Sequence, residues 1–78
     1  MNVKDKIVVV TGAGSGIGRA LVEKFVSEGA RAVVAVDINA VNAQQTADDN
    51  GCIAMTADVS SDEDIKRVIE DTENDIGP

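Results

Sequence analysis

Ile7-Val8-Val9-Val10-Thr11-Gly12-Ala13-Gly14-Ser15-Gly16-Ile17-Gly18 joins a β-branched run to a cluster of four glycines. A continuous apolar run that stops at glycines reads as a strand buried on both faces. Beyond the glycines, Ile17, Leu21 and Phe25 recur every four residues, with Ala20 on the same side. That period predicts an amphipathic helix over residues 16–28. Gly29 is the expected left-handed stop after it.

The same alternation continues outward. Residues 31–36 resume the strand pattern and end at Asp37. Asn39 is the expected cap of a shorter helix over residues 40–49, terminated by Asn50-Gly51. Residues 52–57 form a third candidate strand, ending at Asp58. Ser60 or Ser61 can then cap a last helix, with Glu63 or Asp64 as capping-box partner. Asp62, Glu63 and Asp64 crowd its first turn, where the helix dipole favours negative charge. Ile65, Val68, Ile69 and Thr72 follow at helical spacing, which predicts a helix to about residue 74. Asp75-Ile76-Gly77-Pro78 then leads the chain out. The order β-α-β-α-β-α implies an α/β fold with a three-stranded parallel sheet and right-handed crossovers.

Composition narrows the functions available. The chain has 78 residues, one aromatic residue (Phe25), one cysteine (Cys52) and no histidine. A chain of this length is one small domain or part of a larger one. Without aromatic platforms it is poorly suited to stacking single-stranded nucleic acid. Residues 1–47 hold five basic and four acidic side chains, net +1; residues 48–78 hold two basic and ten acidic, net −8. The acidic half repels phosphate backbones and anionic lipid, and otherwise reads as a solvated helical face. A lone cysteine without histidine makes neither an internal disulfide nor a soft-metal site. The short apolar run at residues 7–10 is neither a signal-peptide core nor a membrane span, so the expected location is cytoplasmic.

The glycine turn carries the chemistry. Gly12 permits a tight turn off the strand. Gly16 has no Cβ, so a pyrophosphate can approach the backbone at the helix start. There the free N–H groups, including that of Ile17, and the helix dipole attract an anion. Gly18 lets the helix pack closely on the strand. Ser15 can add a hydroxyl donor to phosphate or ribose. The glycines fall as G-x-x-x-G-x-G, with Gly14 as an extra. No Gly-Lys-Ser/Thr follows, which excludes the phosphate loop of nucleotide hydrolases. A merely tight strand-to-helix turn would use the same glycines, so the turn alone does not decide.

Asp37 adds the second half of a site. It stands nineteen positions after Gly18, at the end of the second strand. A carboxylate there can accept hydrogen bonds from the ribose 2′- and 3′-hydroxyls of adenosine. It would repel the 2′-phosphate of NADP, so the expected ligand is NAD. No Lys or Arg at position 15 or 38 offers a compensating charge. The alternative for Asp37 is an ordinary acid at a loop start. Asp58 ends the third strand in the same way, or else caps the helix that follows.

With these residues in view, the sequence resembles the short-chain dehydrogenase/reductase family in its classical form. The match lies in residues 11–18 (that family's TGxxxGIG), in Asp37, and in the Asp58-Val59 pair. The resemblance implies a Rossmann-type fold, here the N-terminal part of a larger doubly wound domain. It implies that Gly12, Ser15, Gly16, Ile17 and Gly18 hold the pyrophosphate and that Asp37 selects NAD. It also implies that Asp58 and Val59 contact adenine, with Ile38 lining the adenine pocket. Members of the family transfer hydride between NAD(H) and an alcohol or carbonyl substrate. Their catalytic Ser, Tyr and Lys have no counterparts here: the chain contains no tyrosine, and no catalytic residue is assigned. The expectation is therefore a partial dinucleotide-binding domain spanning residues 1–78, without the catalytic and substrate-binding part. The alternative is a non-enzymatic nucleotide-binding module or an inactive truncated remnant. In a sheet ordered 3-2-1-4 the first strand is central. In the three-stranded unit it becomes an edge, so self-association through that edge and an exposed apolar face is expected.

Overall fold

The computed structural model describes residues 3–76 and has six elements in the expected order. They are β1 (Ile7–Thr11), α1 (Gly16–Ser27), β2 (Ala32–Asp37), α2 (Ala40–Asn50), β3 (Ile53–Thr56) and α3 (Asp62–Ile76). The strands pair in parallel in the order β1-β2-β3, with Val10 opposite Ala35 and Ala35 opposite Ala54. The last helix extends two residues beyond the expected end, to Ile76. The expected exit through Gly77-Pro78 lies outside the described residues.

β2 is the centre of the molecule. Alternate side chains of a strand point to opposite faces, and here each face has its own cover. Val33 and Ala35 pack with Val10, Ala13, Val22 and Ala47 beneath α1 and α2. Val34 and Val36 pack with Ala57 and Val68 beneath α3. β1 is covered on one face only. Val10 is buried, but Val9 is 43% exposed because α3 covers the β2 side of the sheet and not β1. The expectation of a first strand buried on both faces is thus met on one face.

The buried stripe of α1 is displaced by one position from the expected one. Gly18 and Val22 are buried and Phe25 packs against the core, whereas Ile17, Ala20 and Leu21 face solvent. The cause is Gly18 itself. The helix meets the turn backbone to backbone at that residue, and its contact stripe therefore runs i, i+4, i+7 from there. Cys52 packs against the same core, and burial pushes its thiol above the ordinary range. On α3, Val68 and Thr72 are buried while Ile65 and Ile69 stay exposed. These two isoleucines line an apolar groove of about 240 Å3 with Val9, Thr11, Val59 and neighbouring residues. No helix among the described residues is long and apolar enough to cross a membrane.

Candidate functional site

Three parallel strands end on one side of the sheet, and the strand ends, the loops after them and the start of α1 hold the cofactor-site residues singled out by sequence. After β1, Gly12 adopts φ +65°, a left-handed conformation that favours glycine. The chain then crosses toward β2, where the Ala13 amide donates to the Val36 carbonyl at 2.9 Å. Ser15 is the N-cap of α1: its Oγ accepts from the Gly18 amide at 3.3 Å and donates to the Gly12 carbonyl at 2.7 Å. The Ser15 hydroxyl proton is thus engaged within the turn and not directed at a ligand.

Capping leaves a defined pair of donors. The first four amides of a helix have no intrahelical acceptor. In α1 these are the amides of Ser15, Gly16, Ile17 and Gly18: the Ser15 amide donates to the Gly12 carbonyl at 3.1 Å and the Gly18 amide to the Ser15 side chain. The amides of Gly16 and Ile17 remain, at the positive end of the helix dipole. A Cβ added to Gly16 would meet nothing within 4 Å, so open space lies beside this residue. At Gly18 the opposite holds: a Cβ would sit 1.9 Å from the Gly12 carbonyl oxygen. The close helix-to-turn packing expected of Gly18 is therefore present, and so is the open approach expected of Gly16.

Asp37 closes the site from β2. Its Oδ2 accepts from the Gly14 amide at 2.8 Å and its Oδ1 from the Asn39 amide at 2.9 Å. Each carboxylate oxygen retains a further lone pair, since an ionised carboxylate accepts about four hydrogen bonds. The bond to Gly14 was not foreseen from sequence, where Gly14 read only as an extra glycine. It is a close-approach position. A Cβ there would lie 2.5 Å from Asn42 Cβ and 2.9 Å from Asp37 Oδ2.

Two residues of α2 also belong to the site and carry no motif signal. Asn42 crowds Gly14, and Thr46, fully buried, donates from Oγ1 to the Ala13 carbonyl at 3.0 Å. The available clue was a helix face of small residues, Ala43, Thr46 and Ala47, at i, i+3, i+4. Such a face permits close approach of another backbone.

The β3 end is organised around Asp58. Its Oδ1 accepts from both the amide and the hydroxyl of Ser60, at 2.9 and 2.6 Å. The hydroxyl bond chiefly, and then the amide, hold the Asp58 carboxyl below the ordinary carboxylate value. The Asp58 amide donates to Asp64 Oδ2 at 2.8 Å, while Ser61 Oγ accepts from the Asp64 amide at 3.3 Å. Ser61 is thus the cap of α3, and Asp64 reaches past it to Asp58. Beside the carboxylates, large apolar side chains stand in solvent: Ile17 is 81% exposed, Ile38 68% and Val59 56%. They lie at the C-terminal ends of the strands with the free amides and Asp37, where a flat apolar ligand part can cover them. Arg19 pairs with Asp49 across α1 and α2 at 2.8 Å, an exposed bridge worth under about 1 kcal/mol.

Comparison with known proteins agrees with this geometry. The family model described as short chain dehydrogenase matches residues 6–78. The (+)-cis,trans-nepetalactol synthase NEPS1 of Nepeta racemosa is 40% identical over 74 residues, covering 92% of this chain and 27% of that protein. The NAD-dependent glycerol dehydrogenase of Listeria innocua is 38% identical over 71 residues, covering 87% of this chain and 27% of that protein. The crystal structure of a short chain dehydrogenase/reductase from Burkholderia phymatum, in complex with NAD, superposes with a TM-score of 0.88. It is 29% identical, over 95% of this chain and 28% of that one. The chain thus spans about a quarter of the length of the relatives it matches.

Proposed function

The chain belongs to the short chain dehydrogenase family, and on that premise we propose that it binds the adenosine-diphosphate half of NAD across the C-terminal ends of its three strands. One observation carries the reading. The turn leaves the Gly16 and Ile17 amides uncapped beside open space, with a carboxylate held at the end of the next strand. The pyrophosphate sits at the two amides, next to Gly12, Ser15 and Gly18. The ribose diol donates to the remaining lone pairs of Asp37. Adenine lies against Ile38 and Val59, with Asp58 at its rim.

NAD is preferred over NADP because a 2′-phosphate would meet the Asp37 carboxylate with no Lys or Arg beside it at position 38. Asn39 and Asn42, the polar residues that follow on this loop and helix, carry no charge to offset it. When bound, NAD would supply a hydride acceptor or donor. Exchange with an alcohol or carbonyl substrate would need a group to move the proton, a role for which these 78 residues offer no tyrosine. We also propose a cytoplasmic location, and self-association through the β1 edge and the groove beside Ile65 and Ile69, whose apolar lining is open to a partner.

Isothermal titration with NAD, NADP and ADP-ribose tests the cofactor reading. NAD and ADP-ribose should bind alike, and NADP on the order of tenfold more weakly, as expected when the 2′-hydroxyl that donates to the Asp37 carboxylate is replaced by a phosphate. Failure of both NAD and ADP-ribose to bind at millimolar concentration would remove the proposal. Sedimentation that finds only monomer at high protein concentration would remove self-association.

A further inference from the structure

We propose that Thr46, which lies outside every nucleotide-binding motif, is a positioning residue that orients Asp37 toward the cofactor through a single clamped peptide. The inference rests on the NAD reading above and extends it to a residue on α2.

The peptide unit between Ala13 and Gly14 is held at both ends. Its carbonyl accepts from Thr46 Oγ1 at 3.0 Å, and its N–H donates to Asp37 Oδ2 at 2.8 Å. A peptide unit is planar and rigid, so these two bonds fix one orientation between them. Rotating the plane to release either bond breaks the other. Ala13 is fully buried, with its amide tied to Val36, so the carbonyl has no water to turn to. A threonine inside a helix commonly bonds back to the carbonyl one turn earlier. Thr46 instead sends its hydroxyl across to a residue 33 positions away. Asp37 has only two rotatable side-chain bonds, and both oxygens are oriented by backbone amides, Gly14 on one side and Asn39 on the other. The Gly14 amide is the member of this pair that Thr46 sets. The lone pairs that Asp37 keeps for a ribose diol therefore point where the Thr46 hydroxyl places them.

Thr46→Val keeps the branched shape and deletes the donor; Thr46→Ser keeps the donor and deletes the methyl group. Titration of each with NAD and NADP reads the positioning. The valine variant should lose about tenfold in NAD affinity, the size of one buried hydrogen bond. It should lose less for NADP, so that discrimination narrows, while the serine variant keeps the wild-type ratio. Loss of stability alone would lower both affinities together and leave the ratio unchanged, and that result overturns the proposal. If the valine variant does not fold, amide hydrogen exchange on the wild type decides. The Gly14 amide should exchange at least about tenfold more slowly than those of Gly16 and Ile17; equal exchange in all three overturns the clamp. A wild-type chain that binds no NAD but protects Gly14 refutes the cofactor reading, and with it the role assigned to Thr46, while leaving the clamp itself standing.

Discussion

Replacing Gly18 by alanine sets a methyl group against backbone that has no route of escape. The new Cβ would lie 1.9 Å from the Gly12 carbonyl oxygen, 2.6 Å from the Gly12 carbonyl carbon and 2.8 Å from Ala13 Cα. Ordinary contacts between such atoms begin near about 3.5 Å. α1 would therefore have to retreat on the order of 1.5 Å, pulling Val22 from the core. Forcing a methylene into a packed interior costs about 1–3 kcal/mol, and the upper end applies where no flexible side chain can move. Alanine's better helix propensity returns about 1 kcal/mol. The net loss is about 2 kcal/mol, against a total stability of roughly 4–12 kcal/mol for a chain of this size. In a urea titration followed by circular dichroism, the midpoint should fall by about 1–2 M. Gly16→Ala supplies the contrast. Its Cβ meets nothing and its φ is not left-handed, so the fold should stand at wild-type stability or slightly above. The same methyl group fills the space beside the free amides, so NAD binding should be lost. A Gly18→Ala midpoint at or above the wild-type value would refute the close approach. An unfolded Gly16→Ala variant would refute the open space.

Asp37→Ala removes both the proposed ribose acceptor and the partner of the Gly14 amide. Calorimetry should find NAD weakened by about 1.5–3 kcal/mol. Discrimination against NADP should relax, without NADP reaching the affinity of wild-type NAD, because the turn is loosened as well. Unchanged affinity for both would take Asp37 out of the site. Ser60→Ala should return the Asp58 carboxyl toward its ordinary value of 3.8, read by carbon NMR titration. Because the folded value lies below the unfolded one, Asp58's contribution is present above about pH 4 and fades as pH falls through the folded value. Wild type should therefore exceed Ser60→Ala in stability at pH 6, with the difference vanishing in strong acid. Identical titration of Asp58 in both proteins would deny the Ser60 hydroxyl its role.

Periodicity and punctuation made most of the fold legible. A β-branched run ending in glycines, helices ending at Gly29 and Gly51, and the caps Asn39 and Ser61 are local features, and local chemistry decides them. The parallel sheet follows from the alternation of strands and helices. The candidate site was legible at Gly12, Gly16, Gly18 and Asp37 for the same reason, since a tight turn, a bare helix start and a carboxylate at a strand end are short-range patterns. Two readings needed correction by packing. The apolar stripe of α1 runs through Gly18 and Val22 and not through Ile17 and Leu21, because hydrophobicity alone cannot show where a glycine lets two backbones touch. β1 is covered on one face, because α3 sits over β2.

What the sequence determined by itself is the order of elements and the chemical character of the turn, both set by neighbours a few residues apart. Only the tertiary structure decided that Gly14 must be a glycine, and that Thr46 and Asp37 hold opposite ends of one peptide. Those partners stand 23 and 33 residues from the groups they bind. No local pattern records such a pairing, because it exists only once the second strand and its helix have folded back beside the first.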